Sequence, residues 1–169
     1  QALKAKSPDK IIIATDHQKV MDAANSFGAE CVMTSPDCAS GTDRIAQAIK
    51  NSKLKIKNCD VIVNLQADEP EIDPANIDAV AQLLIDNPEA HMATLVAPFQ
   101  TAEQIKDPNI VKVVVTSDQR QATSDSPARA VYFSRSVIPY DRQADGVGPV
   151  ENYLRHLGIY AYRKDFMEE

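Results

Sequence analysis

The sequence predicts an α/β fold with a mainly parallel sheet. Residues 1–90 alternate short apolar runs, rich in β-branched residues, with segments whose apolar residues recur every three or four positions. The first pattern is typical of strands buried on both faces and the second of amphipathic helices, so their alternation indicates consecutive strand–helix units. With 44% apolar and 25% charged side chains, the 169 residues suit one globular domain, here predicted to span 1–169.

Three strand–helix units are predicted in this half. The strands are Ile11–Thr15, Glu30–Thr34 and Asp60–Leu65. The first helix is predicted to be capped by Asp16 and to end at Gly28. Its apolar face is Val20, Ala23, Ala24 and Phe27.

The second and third helices have clearer start signals. The second begins at Gly41, and its apolar side is Ile45, Ala48 and Ile49. The third begins at Asp73-Pro74, an N-cap residue followed by proline at the first helical position. Its apolar face is Ile77, Val80, Ala81 and Leu84.

Residues 91–169 change character and predict a β-rich extension of the same domain. Thr101-x-x-Gln104 is a capping-box pattern for a short helix. The predicted strands are Met92–Pro98, Val111–Thr116, Ala128–Phe133 and Leu157–Tyr162. The second and third of these strands can form a long hairpin, and residues 143–150 are predicted to be a loop.

Charge and cysteine content narrow the class of function. The net charge of −6 and the pI of about 5.1 argue against nucleic-acid binding, which requires a basic surface. No apolar run approaches the length of a membrane-spanning helix. The three cysteines have no C-x-x-C spacing, and we interpret them as free thiols in a reducing cytoplasm.

Asp68 is the strongest candidate for chemistry. It follows a predicted buried strand, and open α/β sheets bind ligands beyond the carboxyl ends of their strands. A carboxylate there can bind Mg²⁺, which prefers one or two carboxylates together with substrate phosphates. Gln66 lies at the same edge, and Asp16, which follows the first predicted strand, is also expected there. The alternative interpretation is an acid that only stabilises a turn or caps a helix.

The segment Ser40-Gly41-Thr42-Asp43-Arg44 is the second candidate. The free N–H groups of a helix start can bind an anion or a base carbonyl, and the Arg44 guanidinium can bind a carbonyl edge or a phosphate. A capped helix without a ligand is the alternative. No G-x-G-x-x-G or G-x-x-x-x-G-K-[ST] motif is present to hold a nucleotide's phosphates.

The third candidate group lies in the β-rich extension. Arg135 ends the aromatic segment Tyr132-Phe133-Ser134 and can pair with an acidic sugar, although a surface salt bridge is the alternative. His156 precedes the last predicted strand, and a lone histidine more often has a structural role. His17 and His91 are interpreted as structural on the same ground.

Four segments together resemble the 3-deoxy-manno-octulosonate (KDO) cytidylyltransferase family. They are TSPDCASGTDRIAQAI, VIVNLQADEPEIDP, AVYFSRSVIPYDR and YLRHLGIYAYRKDF, in the family's order, from about Lys10 to Phe166. The resemblance implies a Rossmann-like nucleotide-sugar transferase fold with a β-rich dimerisation extension. It also implies that CMP is transferred from CTP to KDO, giving CMP-KDO and pyrophosphate for lipopolysaccharide synthesis by a cytoplasmic homodimer.

The resemblance also implies roles for individual residues. Asp68 would bind Mg²⁺, and Gln66 would face nucleotide and sugar. Ser40, Gly41, Thr42 and Arg44 would lie along the cytosine. Arg135, His156 and Tyr160 would line the sugar pocket, where Arg and His suit the KDO carboxylate.

Some features of the family pattern differ here. Ala67 stands where the family usually has Gly, which would strain the backbone if the position needs a positive φ. Tyr140 stands where the family often has Trp. The family's N-terminal P-A-R-x-x-S-x-R-x-P-G-K loop and second metal-binding Asp do not occur in this sequence. We therefore expect an internal piece of a longer enzyme, inactive or nearly so alone.

Two other functions remain open at this point. One is a cytidylyltransferase for another acid sugar, such as a sialic acid. The other is an inactive nucleotide-binding or subunit-interface fragment.

Overall fold

The computed structural model describes residues 1–51, 60–116 and 127–168. Its strands are β1 (Ile13–Thr15), β2 (Cys31–Met33), β3 (Val61–Leu65), β4 (Met92–Pro98), β5 (Lys112–Val115), β6 (Ala130–Ser134) and β7 (Leu154–Arg163). Its α-helices are α1 (Gln18–Ser26), α2 (Gly41–Ile49), α3 (Pro74–Asp86), α4 (Ala102–Lys106) and α5 (Lys164–Glu168). Short 3-10 helices cover Ala2–Lys4 and Val150–Asn152. Residues 117–126, which lie between the predicted strands Val111–Thr116 and Ala128–Phe133, and Cys59 are outside the described residues.

The chain forms two compact units. The first contains residues 1–93 and 159–169, and the second contains residues 94–158. Strands β4 and β7 each continue from one unit into the other. The boundary near residue 93 is close to the point where the sequence changes from strand–helix alternation to a β-rich pattern.

In the first unit, two strand pairs are covered by helices. β1 and β2 are parallel, with Ile13 opposite Cys31. β3 is antiparallel to the end of β7, with Leu65 opposite Ile159. Helices α1 and α2 pack against β1, and α3 packs against β3. The buried face of α3 is Ile77, Val80, Ala81 and Leu84, as its sequence spacing predicts.

The fold class is confirmed as α/β, but the prediction of a mainly parallel sheet holds only in part. Strands β1 and β2 are parallel, whereas the β3–β7, β5–β6 and β5–β7 pairs are antiparallel. A run of apolar residues indicates that a strand is buried on both faces. It does not indicate whether the neighbouring strand is parallel or antiparallel. The partner of β3 comes about one hundred residues later.

The prediction for α1 needs two corrections. The helix is capped by His17, whose Nδ1 accepts a hydrogen bond from the Lys19 N–H at 3.2 Å, and not by Asp16. Only Ala24 of the predicted apolar face is buried, and the Phe27 side chain is 70% exposed. The Asp16 carboxylate instead pairs with Arg44 of α2.

The second unit contains the predicted hairpin. β5 and β6 are antiparallel, and β5 also pairs with the start of β7. Before the hairpin, the N–H of Gln104 donates to Thr101 Oγ1 at 3.4 Å, as the capping box predicts. The Gln104 side chain instead accepts from the Gln100 N–H at 3.1 Å. The core of this unit is Phe99, Ile105 and Tyr153, with Ile110, Val137, Val147 and Val150 packed around it.

Candidate active site

The Arg44 guanidinium joins three segments of the first unit. Its Nη2 lies 2.7 Å from Oδ2 of Asp16, directly after β1. Its Nη1 donates to Oγ1 of buried Thr34 at 2.7 Å, directly after β2. The same nitrogen reaches the carbonyl of Ser35 at 3.4 Å. Much of the donor capacity of Arg44 is therefore used within the protein, where it fixes the start of α2 against the carboxyl ends of β1 and β2.

The start of α2 is a capped helix terminus with unpaired N–H groups. Ser40 Oγ accepts from the Asp43 N–H at 3.1 Å and donates to the Asp43 carboxylate at 2.8 Å. The N–H groups of Gly41 and Thr42 have no partner among the described residues. A Cβ added to Gly41 would meet no atom within 4 Å, so the surface beside this turn is open. The turn can donate hydrogen bonds to a carbonyl or an anion.

Gln66 and Asp68 lie in the turn that follows β3. Both side chains are exposed, and neither forms a hydrogen bond or ion pair with the described residues. The turn is closed by the Glu69 N–H, which donates to the Gln66 carbonyl at 3.2 Å. Ala67 has a negative φ, so the position does not require glycine. The Asp68 carboxylate is thus held on an ordered turn while its oxygens remain available to a ligand.

Tyr160 lies on β7, opposite Asn64 of β3. Its ring stacks on Tyr162 with the centroids 6.1 Å apart. Burial, and to a smaller extent Tyr162, raise the pKa of the Tyr160 hydroxyl, which is therefore protonated at neutral pH. Asn64 is only 7% exposed and was not selected from the sequence. In the sequence, Asn64 could have been found as the one amide side chain in the otherwise apolar run of β3.

His156 belongs to the second unit. Its Nε2 lies 2.9 Å from Thr94 Oγ1, and its ring makes an edge contact with Phe133, with centroids 5.2 Å apart. Burial lowers the pKa of His156 below its ordinary value of 6.5, so the ring is predominantly neutral at pH 7. A neutral imidazole can still exchange hydrogen bonds with hydroxyl groups.

Arg135, also in the second unit, has an exposed side chain anchored at one end. Its Nη1 donates to the carbonyls of Pro108 at 3.0 Å and Asn109 at 3.3 Å. Its own carbonyl accepts from Nζ of Lys112 at 2.7 Å. Lys112 is fully buried and was not selected from the sequence, although a lysine heading the apolar run of β5 was a signal for it.

Among the residues that the structure describes, no group of three or more His, Cys, Asp or Glu side chains is arranged to hold a metal ion. Cys31 and Cys38 are free, and burial raises the pKa of the Cys31 thiol. The Asp68 carboxylate is the type of ligand that Mg²⁺ prefers. It would supply one ligand, and phosphate oxygens and water would complete the coordination. In the same part of the chain, no helix is both long and apolar enough to span a membrane.

A sequence model described as Cytidylyltransferase matches residues 1–169, the full chain. The chain belongs to the cytidylyltransferase family. It is 40% identical over 170 residues to a 3-deoxy-manno-octulosonate cytidylyltransferase of Rhodopirellula baltica, covering 98% of this chain and 63% of the relative. It is 45% identical over 171 residues to the enzyme of the same description from Francisella tularensis subsp. novicida, covering 99% and 63%.

A solved structure gives the same relationship. It is described as CMP:2-keto-3-deoxy-manno-octonic acid synthetase complexed with CTP, and it matches with a TM-score of 0.78 at 37% identity. The match covers 99% of this chain and 61% of that chain. The cytidylyltransferase chain thus spans about three fifths of the length of the relatives that it matches.

In this member of the cytidylyltransferase family, the predicted site residues fall into separate groups. Ser40, Gly41, Thr42 and Arg44 share the first turn of α2. Gln66 and Asp68 share the turn after β3, and Tyr160 pairs with β3 two residues before Gln66. Arg135 and His156 belong to the second unit, where they have different hydrogen-bond partners. Asn64 and Lys112 are polar residues beside these groups that were not among the predicted site residues. Asp16 was expected at the carboxyl edge of the sheet, and it pairs with Arg44.

Proposed function

We propose that the full-length protein containing this chain transfers CMP from CTP to KDO, releasing pyrophosphate. The observation that carries the proposal is the likeness, over 99% of the chain, to a synthetase structure that contains CTP. The names of relatives at 40% and 45% identity support the same substrates. They favour KDO over a sialic acid, and they favour an enzyme over a non-catalytic binding fragment.

The first unit supplies the groups proposed to hold the nucleotide. The open N–H groups of Gly41 and Thr42 would face the cytosine carbonyl. The Ser40 hydroxyl, which donates its hydrogen to Asp43, would lie along the base and hold this turn in place. Arg44 would bind the base edge with the donors that remain, while its bonds to Asp16 and Thr34 keep this turn in position. Binding of a base would therefore use a surface that is already ordered, which reduces the entropy lost on binding.

Asp68 would provide a carboxylate ligand for Mg²⁺, and Gln66 would reach nucleotide and sugar from the same turn. When bound, the ion would supply positive charge opposite the triphosphate. A KDO hydroxyl oxygen forms a bond to the α-phosphorus of CTP, and the bond from that phosphorus to the bridging oxygen breaks. Pyrophosphate leaves with the bonding electrons, and the hydroxyl proton is lost to solvent.

In the second unit, Arg135 and His156 would bind the sugar acid. The Arg135 Nε and Nη2 groups have no partner among the described residues, and together they match the two oxygens of a carboxylate. His156, neutral through burial, would make a neutral hydrogen bond to a sugar hydroxyl. The role of Tyr160, in the first unit, stays a prediction from the family resemblance. A carboxylate bound in this way would orient the attacking hydroxyl.

We also propose that the protein is a cytoplasmic homodimer that serves lipopolysaccharide synthesis. Support for dimerisation comes from β6, which pairs only with β5 among the described strands. Its side chains Val131 and Tyr132 are 63% and 64% exposed, and an exposed apolar edge strand of this kind is often covered by another chain. Support for the cytoplasm comes from the free thiols of Cys31 and Cys38.

The test is pyrophosphate release from CTP by the full-length gene product, with Mg²⁺, in the presence of KDO, of a sialic acid, or of no sugar. We expect release with KDO only. Asp68→Asn should lower the rate by about 100-fold or more because the carboxylate ligand is lost. The melting temperature should be unchanged because the Asp68 side chain is exposed and forms no hydrogen bond or ion pair with the described residues.

Glu69→Gln is the matched control, since it removes the neighbouring exposed carboxylate and should retain most of the activity. Release with the sialic acid but not with KDO would overturn the proposed substrate. Equal loss in the two variants would overturn the specific role of Asp68.

A further inference from the structure

Two cations bind four consecutive backbone carbonyls in the second unit. The turn 107–110 joins α4 to β5, and Lys112 Nζ donates to its first and last carbonyls, those of Asp107 and Ile110, both at 2.8 Å. Nη1 of Arg135 donates to the two carbonyls between them. Each carbonyl of this turn therefore accepts a hydrogen bond from a charged side chain.

Lys112 also links the turn directly to Arg135. Its third hydrogen bond, at 2.7 Å, goes to the Arg135 carbonyl, so each N–H of the ammonium has a partner. The side chain is 0% exposed, and burial lowers its pKa. A buried charge is costly unless all its hydrogen bonds are made, and here backbone carbonyls make all of them. Lys112 therefore fixes both the turn and the backbone that carries Arg135.

This arrangement determines which part of Arg135 remains available. Both hydrogen bonds of Nη1 go to the turn, which leaves Nε and Nη2 as the uncommitted edge within the described part of the chain. The guanidinium is planar, so fixing one nitrogen at two points limits rotation of the whole group. A carboxylate that binds the other edge would meet donors that are already oriented.

We propose that Lys112 is a positioning residue for the Arg135 guanidinium, acting through the 107–110 turn and the Arg135 carbonyl. The proposal rests on the proposed function, in which Arg135 binds the carboxylate of the sugar acid. Lys112 itself touches no substrate. It should set the affinity for the acid sugar without affecting the affinity for CTP.

The test uses the full-length gene product and its Lys112→Met variant, which keeps an unbranched side chain but loses the ammonium. We expect the KM for KDO to rise about 10-fold, with the KM for CTP unchanged, because a misplaced binding group loses oriented hydrogen bonds. In a ¹H–¹⁵N spectrum without substrate, the Arg135 Nε–H signal should shift and exchange with water faster. Lys112→Gln, a milder change, serves if Lys112→Met does not fold.

Arg163→Met is the matched control for a merely structural effect. In the first unit, Arg163 also donates to partly buried backbone carbonyls, those of Leu84, Asn87 and Ala90. It should lower the melting temperature without changing the KM for KDO or the Arg135 signal. An equal rise in the KM for KDO in both variants would overturn the proposal, as would an Arg135 signal that is unchanged in the Lys112 variant.

The substrate proposal fails separately from this inference. If the wild-type protein releases no pyrophosphate with KDO, the proposed function is wrong. In that case, a changed Arg135 Nε–H signal in the Lys112 variant would still support positioning, and an unchanged signal would refute it.

Discussion

Asp16 and Arg44, twenty-eight residues apart in sequence, form an ion pair with 2.7 Å between Oδ2 and Nη2. The pair joins the end of β1 to the first turn of α2, and Thr34 adds the end of β2 through Nη1 of the same arginine. The turn proposed to face cytosine is therefore fixed, through the Arg44 side chain, to the ends of two strands. This arrangement allows the contribution of the pair to nucleotide binding to be separated from its contribution to stability.

Arg44→Lys should raise the KM for CTP by about 10-fold, because a lysine cannot bind Asp16 and Thr34 together in the geometry of a guanidinium. The free energy of unfolding should fall by no more than about 1 kcal/mol, since both side chains are partly exposed to water. Steady-state kinetics with varied CTP and urea unfolding measure the two effects.

Asp16→Asn and the double variant complete a thermodynamic cycle for this pair. If Asp16 acts through Arg44, the double variant should have nearly the same KM for CTP as Arg44→Lys alone. Fully additive effects of the two substitutions would contradict the idea that the two residues act as one unit.

Two helix caps provide a matched pair of substitutions. Ser40 caps α2 and Asp73 caps α3, where its Oδ1 accepts from the Ala75 N–H at 2.9 Å. Replacing either residue with alanine should cost about 1 kcal/mol of stability. Only Ser40→Ala should also raise the KM for CTP, by about fivefold, because this cap orients the Gly41 and Thr42 N–H groups proposed to face the base. A similar increase in the KM for CTP with Asp73→Ala would show that destabilising a helix end is enough to weaken CTP binding, and it would contradict a specific role for Ser40.

Burial of His156 predicts a dependence of stability on pH. Because its folded pKa is lower than its unfolded value of about 6.5, the unfolded chain binds more protons between the two values. The contribution is fully present above the unfolded pKa and is lost as the pH falls through the folded pKa. Urea unfolding of the wild-type and His156→Gln proteins from pH 7.5 to pH 5 should therefore give a difference that changes below about pH 6.5. If the difference in the free energy of unfolding between the two proteins did not change with pH, the lowered pKa of His156 in the folded protein would be refuted.

Ala67 provides a test of the turn that carries Asp68. Its negative φ is accessible to alanine, so Ala67→Gly should destabilise the protein by about 0.4 to 1 kcal/mol, chiefly by making the unfolded chain more flexible. The KM for CTP should not improve. Thermal unfolding provides the measurement, and a more stable glycine variant would mean that the alanine is strained.

Local features were predictable from the sequence. The α3 helix has its predicted cap at Asp73 and its complete predicted buried face, because propensity, capping and spacing all agree within thirteen residues. The prediction that β5 and β6 pair was also confirmed. The antiparallel pairing of β3 with β7 was not predicted, because apolar runs contain no information about a partner a hundred residues away.

The candidate site was predictable to a different degree. The turn after β3 and the start of α2 lie at a strand end and a helix start, where the sequence placed them, and their roles with substrate remain predictions. The partners of Arg44 and Arg135 were not predictable, since they are a distant carboxylate and backbone carbonyls. Lys112 was missed because its partners are carbonyls, which every residue carries.

The use of carbonyls as partners also has an evolutionary consequence. Lys112 and Arg135 bind the main chain of residues 107–110, so the identities of those side chains do not enter the interaction. Substitutions that keep the backbone shape can accumulate in the turn without compensating changes in either cation. Comparison of related sequences would then find no covariation between the turn and Lys112, even though they are in direct contact.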